Sequence, residues 1–316
     1  MTNAPTNVAT TTAGESASST DDASTATLVD APVRTARTSA GARLSYATYG
    51  DPDGLPLVFL HGTPGSRLLG GLLDDAAARE GVQVISPDRP GHGRSVLPAD
   101  FDLSAAGDLV ATLADDVGAD EVAVAGFSAG GAYALAAAAT APERVRSVDL
   151  VSSAVPPRFV DDQPAVTQLL GRLARTTPRL LSLGFRLQAA LAGVLPQGTV
   201  AAQYTAESSP VEVSEAVERL VATDFQESFA RSEDGNGAVT DFGFLSTPWN
   251  VAVESASCPV RIWHGDADAN APVEGARGLA AALPDTELRT FDDHGHLETL
   301  LAAQGRVVEA VARRES

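Results

Sequence analysis

Ser128 stands in the run Gly126-Phe127-Ser128-Ala129-Gly130, between the apolar segment EVAVAGF (121–127) and an alanine-rich stretch that continues to Ala141. A serine hydroxyl can attack an acyl carbon if the backbone turns sharply enough to expose it. Glycines two residues to either side suit such a turn, because side chains there would collide with the adjoining strand and helix. The pentapeptide alone arises by chance in roughly one chain of this composition in five. Its weight comes from context: an apolar strand before it, a helix directly after it, and Gly131 as a third small residue. The bland alternative is a serine that merely caps a helix.

A serine nucleophile needs a base, and the chain has five histidines: His61, His92, His264, His294 and His296. His61 and His264 precede glycines at the ends of strand-like runs, and His92 lies in a Gly-His-Gly turn, so these three read as loop-shaping residues. His294 and His296 follow plausible acids near the end of the chain. His296 is favoured because it lies between Gly295 and the start of the last helical stretch, where a short loop can carry an imidazole to the nucleophile; His294 is the alternative. HGDADANAP offers Asp266 and Asp268 as the carboxylate that fixes the histidine tautomer. Asp268, three residues past Gly265, is preferred, with Asp266 read as a turn cap. Acyl transfer also requires donors for a developing oxyanion. The turn His61-Gly62-Thr63-Pro64-Gly65 offers the Thr63 N–H, and Ala129, directly after the serine, offers a second; Pro64 has none to give.

Strands alternating with helices must position these groups. PLVFLH (56–61), VQVIS (82–86), EVAVAGF (121–127), SVDLVS (147–152), PVRIWHG (259–265) and ELRTF (287–291) read as buried strands. Helices are expected at about 68–80, 103–117, 128–141, 273–283 and 297–313. Such alternation predicts an α/β fold with a mostly parallel, doubly wound sheet. Between about 155 and 245 the strand pattern gives way to leucine-rich amphipathic stretches, which predicts a helical cap (lid) inserted into one core formed by 37–154 and 246–316. Residues 1–36, rich in Thr, Ser, Ala and Asp, are expected to be a disordered tail.

Composition narrows the partners. The net charge is -19, and all 22 basic residues are arginine. Nucleic acid and anionic membranes are therefore not expected as main partners. No signal peptide or membrane span is apparent, so a cytoplasmic protein acting on a small molecule is expected, with monomer and homodimer both open. The lone Cys258 cannot form an intramolecular disulfide and reads as packing. No metal-binding pattern is present, and no metal or organic cofactor is expected.

Together, HGTPGS (61–66), DRPGHGRS (88–95), GFSAGG (126–131), HGDAD (264–268) and GHLE (295–298) resemble the cap-bearing serine hydrolases of the α/β-hydrolase superfamily. The resemblance implies Ser128 as nucleophile, Asp268 as acid, His296 as base and the Thr63 and Ala129 amides as oxyanion hole. His61, Gly62, Gly126 and Gly130 would support these motifs, and DRPGHGRS would be a structural loop. Relatives with an aspartate nucleophile are disfavoured by Ser128, and proline iminopeptidases by the GFSAGG elbow. Expected activities are hydrolysis of an ester, lactone or related acyl substrate, transfer of the acyl group to another acceptor or to peroxide (the non-haem haloperoxidase type), or ligand reception without turnover. The insertion carries Arg158, Arg172, Arg175, Arg179 and Arg186. They fit an anionic substrate or, more simply, solvated helix faces. Its leucines are expected to line an acyl pocket or to pack onto the core.

Overall fold

A computed structural model describes residues 31–161, 163–196, 198–230 and 236–313. Eight strands form one sheet: β1 (Arg34–Arg37), β2 (Arg43–Gly50), β3 (Leu55–Leu60), β4 (Val82–Pro87), β5 (Val122–Phe127), β6 (Val145–Val151), β7 (Val260–Gly265) and β8 (Thr286–Phe291). Their order is β1-β2-β4-β3-β5-β6-β7-β8. From β4 to β8 every pairing is parallel, whereas β1 and β2 run antiparallel at one edge. The central strands are apolar without alternation because both faces of the sheet are covered.

Helices α1 (Asp74–Glu80), α2 (Ala106–Asp116) and α3 (Gly130–Thr140) follow β3, β4 and β5; α9 (Val273–Ala282) and α10 (His296–Ala312) follow β7 and β8. Leu109 of α2, Tyr133 of α3 and Leu279 of α9 share one core with Val58 and Val124. On the other face, Ala77 of α1 and Leu300 and Val308 of α10 pack with Leu57 and Ala123. Neighbouring residues of β3 and β5 thus point to opposite cores, as the period of two requires. The insertion between β6 and β7 contains α4 (Ala165–Thr176), α5 (Pro178–Ala192), α6 (Gly198–Ala201), α7 (Glu215–Ala230) and α8 (Gly237–Leu245).

Two expectations need correction. Residues 34–36, assigned to the tail, belong to β1, which pairs with β2 from Arg34↔Tyr46 to Arg37↔Arg43. Only Ala36 of β1 is buried, so the ladder of backbone hydrogen bonds holds it rather than apolar content. Residues 1–30 of that expected tail lie outside the described residues. The helix expected from 68 begins as a 3₁₀ segment, Arg67–Leu73, capped by Ser66, and becomes α-helical only at Asp74.

Candidate active site

Ser128 follows β5 with φ +54, a left-handed conformation that costs a non-glycine residue about 1–3 kcal/mol. The surrounding backbone holds it there. Its N–H donates to Val151 O (3.0 Å), while its carbonyl accepts from Gly131 N (3.0 Å) and Ala154 N (2.9 Å). The flanking glycines have a steric cause. A Cβ on Gly126 would lie 2.6 Å from the carbonyl carbon of Gly130, one on Gly130 would strike Leu60 O, and one on Gly131 would strike Ser153 Oγ. A Cβ on Gly62 would lie 3.1 Å from Ser128 Cβ, so the HGTPG turn presses against the serine. Among the described residues two other non-glycine residues have positive φ: Ser152 just after β6 (φ 44) and Asp293 in the loop before α10 (φ 59).

His296 opens α10 and donates its Nδ1–H to Asp268 Oδ2 at 2.7 Å. Asp268 Oδ1 accepts from the Asn270 and Ala271 N–H groups, each at 2.9 Å. Both side chains are buried. Burial acts most strongly on Asp268 and pushes its carboxyl up, but His296, His264 and the hydrogen bonds together hold it below the usual range. With Nδ1 engaged, Nε2 of His296 is left to take a proton. Phe127 and Tyr204 pack against the imidazole, with ring centroids at 4.8 and 6.2 Å. His294 instead donates to Asp292 O and packs on Phe291, and Asp266 accepts from Asp293 N (2.7 Å). The pairing is thus His296 with Asp268, and the two alternatives serve the loop.

Ser128 and His296 line one cavity of about 30 Å³ together with Gly62, Thr63, Pro64 and Phe127 from the core. Tyr204, Val221, Asp224 and Phe225 from the insertion complete it with Leu69 and Leu297. Among the described residues, no hydrogen bond of these turns uses the backbone N–H of Thr63 or Ala129. Buried His61 braces the turn: Arg89 N–H donates to its Nε2 (3.0 Å), so the ring proton is on Nδ1 and donates to Gly62 O (2.7 Å). Burial, then Arg89 and His92, hold His61 well below its ordinary pKa, and it stays neutral. His264 likewise shapes its loop, donating Nε2–H to Ala271 O (2.7 Å). Among the described residues no arginine of the insertion lines this cavity.

Three buried polar tethers from the insertion were not anticipated. Asp224 Oδ1 accepts from Ser66 N (2.9 Å), Ser66 Oγ (2.6 Å) and Leu69 N (3.1 Å). Asp241 pairs with Arg89 (2.8 Å) and His92 (3.1 Å) and accepts from Tyr133 Oη (2.8 Å). Glu298, beside the histidine, accepts from Ala206 N (2.8 Å), and Tyr204 O accepts from Leu297 N (2.8 Å). A signal for the first two exists in the sequence: Asp224 falls in the apolar stripe Leu220, Val221, Phe225 of α7, and Asp241 in the stripe Ala238, Leu245 of α8. An acid on an apolar stripe needs a buried partner. The DRPGHGRS loop supplies Arg89 and His92, and its Asp88 pairs with Arg67 (3.2 Å), so this loop anchors the insertion.

Among the described residues no group of three or more His, Cys, Asp or Glu could hold a metal ion, and no helix is long and apolar enough to cross a membrane. Residues 56–301 match the family described as alpha/beta hydrolase fold. The chain is 30% identical over 218 residues to a pimeloyl-(acyl-carrier protein) methyl ester esterase of Aromatoleum aromaticum, covering 68% of this chain and 81% of that protein. It is 40% identical over 135 residues to a non-heme chloroperoxidase of Streptomyces lividans, covering 40% of this chain and 46% of the relative. A thermophilic esterase from Thermogutta terrifontis superposes with a TM-score of 0.63 at 23% identity, covering 89% of this chain and 97% of the other. With the match spanning both halves of the sheet, the chain belongs to the α/β-hydrolase fold family and is an enzyme of its esterase-containing hydrolase group.

Proposed function

We propose that the protein is a serine esterase whose triad is Ser128, His296 and Asp268. Ser128 Oγ attacks the ester carbonyl carbon while His296 Nε2 takes its proton. The oxyanion is received by the N–H groups of Thr63 and Ala129. Collapse expels the alcohol, which leaves with the proton from His296, and the acyl group stays on Ser128. Water, deprotonated by His296, then attacks the acyl-enzyme and regenerates Ser128. Asp268 keeps the imidazole in the tautomer that presents Nε2 and stabilises the imidazolium. The observation that carries this reading is the buried His296–Asp268 hydrogen bond at the wall of the cavity that also holds Ser128.

The insertion of about 155–245 acts as a cap over this site, through Tyr204, Val221, Asp224 and Phe225. The walls supplied by Leu69, Val221, Phe225 and Leu297 suit a small apolar acyl group. No arginine among the described lining residues offers a counter-charge to an anionic acyl group, and burial there disfavours one. A second reading keeps the same acyl-enzyme but delivers it to peroxide or an alcohol instead of water. It is supported by the likeness to the Streptomyces lividans chloroperoxidase.

The test is labelling with a fluorophosphonate, together with hydrolysis of p-nitrophenyl esters of increasing chain length. Wild type should label and favour short chains. Ser128→Ala should not label and should lose kcat by about 10⁶-fold, as expected for removing a nucleophile. Equal labelling of both proteins would place the reactive group elsewhere. Dominant acyl transfer at low peroxide or alcohol concentration would replace hydrolysis with the second reading.

A further inference from the structure

We propose that the outer face of α4 and α5 is a docking surface for an anionic lipid layer. The leucines of these helices were expected to line an acyl pocket or to pack onto the core, and many do neither. Helix α5 carries two apolar stripes. Leu181, Phe185, Ala189 and Ala192 are buried, Phe185 against Phe229 and Phe242. On the other side, Leu180, Leu183, Leu187 and Leu191, spaced three, four and four residues apart, are exposed, Leu187 by 61%. Val166 and Leu169 of α4 add a second exposed pair. A helix apolar on both sides is ordinarily covered on both, and no other large apolar residues of the described chain are exposed outside 166–195.

Charge selects the occupant. From residue 163 to 206 the sequence contains Arg172, Arg175, Arg179 and Arg186 and no Asp or Glu, in a chain whose net charge is -19. All four arginines are exposed. The whole-chain charge, which argues against an anionic surface, is an average over the chain and does not describe this stretch, where four arginines stand with no acidic residue between 163 and 206. A two-fold pairing of this face with a second copy would set arginine against arginine. Nucleic acid would leave the leucines uncovered. An anionic lipid layer supplies negative headgroups for the arginines and apolar depth for the leucines, the arrangement of an interfacial amphipathic helix, and it needs no matched shape. The buried side of α5 joins the cluster that contains Val221 and Phe225, two residues of the cavity wall. Docking would therefore hold the roof of the site at the layer into which apolar acyl compounds partition. The proposal does not depend on the triad assignment.

The full chain is to be sedimented with vesicles of phosphatidylcholine alone, or containing phosphatidylglycerol, in 0.1 M and 1 M NaCl, with its oligomeric state measured by light scattering. Binding should be at least tenfold stronger with phosphatidylglycerol and should weaken in high salt. A variant carrying Leu183→Gln, Leu187→Gln and Leu191→Gln should lose at least tenfold. Arg172→Gln with Arg179→Gln should remove the preference for the anionic lipid. Circular dichroism and unfolding midpoints near those of wild type would show that both variants fold. Failure of wild type to bind either vesicle, or equal binding to both, would overturn the proposal. So would a dimer that the leucine variant dissolves, since a second copy would then be the occupant.

Discussion

Burial is the largest influence on Asp224 and pushes its carboxyl up to about 7, even though Ser66 and Leu69 donate three hydrogen bonds that favour the charged form; nearby Asp88 adds to the rise. The ordinary value is 3.8. A proton is therefore held more tightly in the folded than in the unfolded chain between these two values. The associated stability is fully present below about pH 4 and is lost as the pH rises toward 7. Asp224→Asn keeps an oxygen acceptor and cannot ionise. Urea unfolding from pH 4 to 8 should show stability falling in wild type and falling less in Asp224→Asn, the gap between them shifting in favour of the variant at high pH; parallel curves would remove the argument. The pairing of His296 with Asp268 and the nearness of His296 to Ser128 were expected from the sequence because glycines mark the turns that carry these residues. For Asp224 the apolar stripe signals only that a buried partner is needed; which partner is not legible, because Ser66 is 158 residues away.

Helices α7 and α8 reach the core through carboxylates, and α8 depends on Asp241, which burial alone would push up but Arg89 and His92 hold well below the carboxylate range. Removing one member of a buried pair leaves the other charge uncompensated, at a cost of about 3–5 kcal/mol. Asp241→Ala should therefore lower the denaturation midpoint by a corresponding amount. Arg289→Ala, which breaks an exposed pair with Glu287, should cost less than about 1 kcal/mol. If the two variants unfold alike, Asp241 does not anchor the insertion. The six strands from β3 onward were read to within two residues, since continuous apolar runs such as VAVAGF have no other use in a sheet covered on both faces. Strand β1 escaped because one buried alanine in four residues carries no periodic signal.

For the molecule as a whole, a net charge of -19 means self-repulsion that salt relieves. The melting temperature should rise between 0.1 and 1 M NaCl as the Debye length shortens from about 10 to about 3 Å; a fall would mean that ion pairs outweigh repulsion. The same salt should weaken vesicle binding, so the two effects are separable by sign. The organisation of the whole also shows in its backbone. Ser128, Ser152 and Asp293, the three non-glycine residues in the left-handed region among the described residues, all follow strands of the parallel part of the sheet at the end where the site lies. Of the three, only Ser128 has a role in the proposed mechanism. Asp293 is exposed, and its N–H, which donates to Asp266, survives any substitution but proline. For an engineer, that loop is a place where robustness can be gained without touching the chemistry. Asp293→Gly should raise the melting temperature by a few degrees with esterase turnover unchanged. If turnover drops instead, the twist at Asp293 is part of how His296 is aimed.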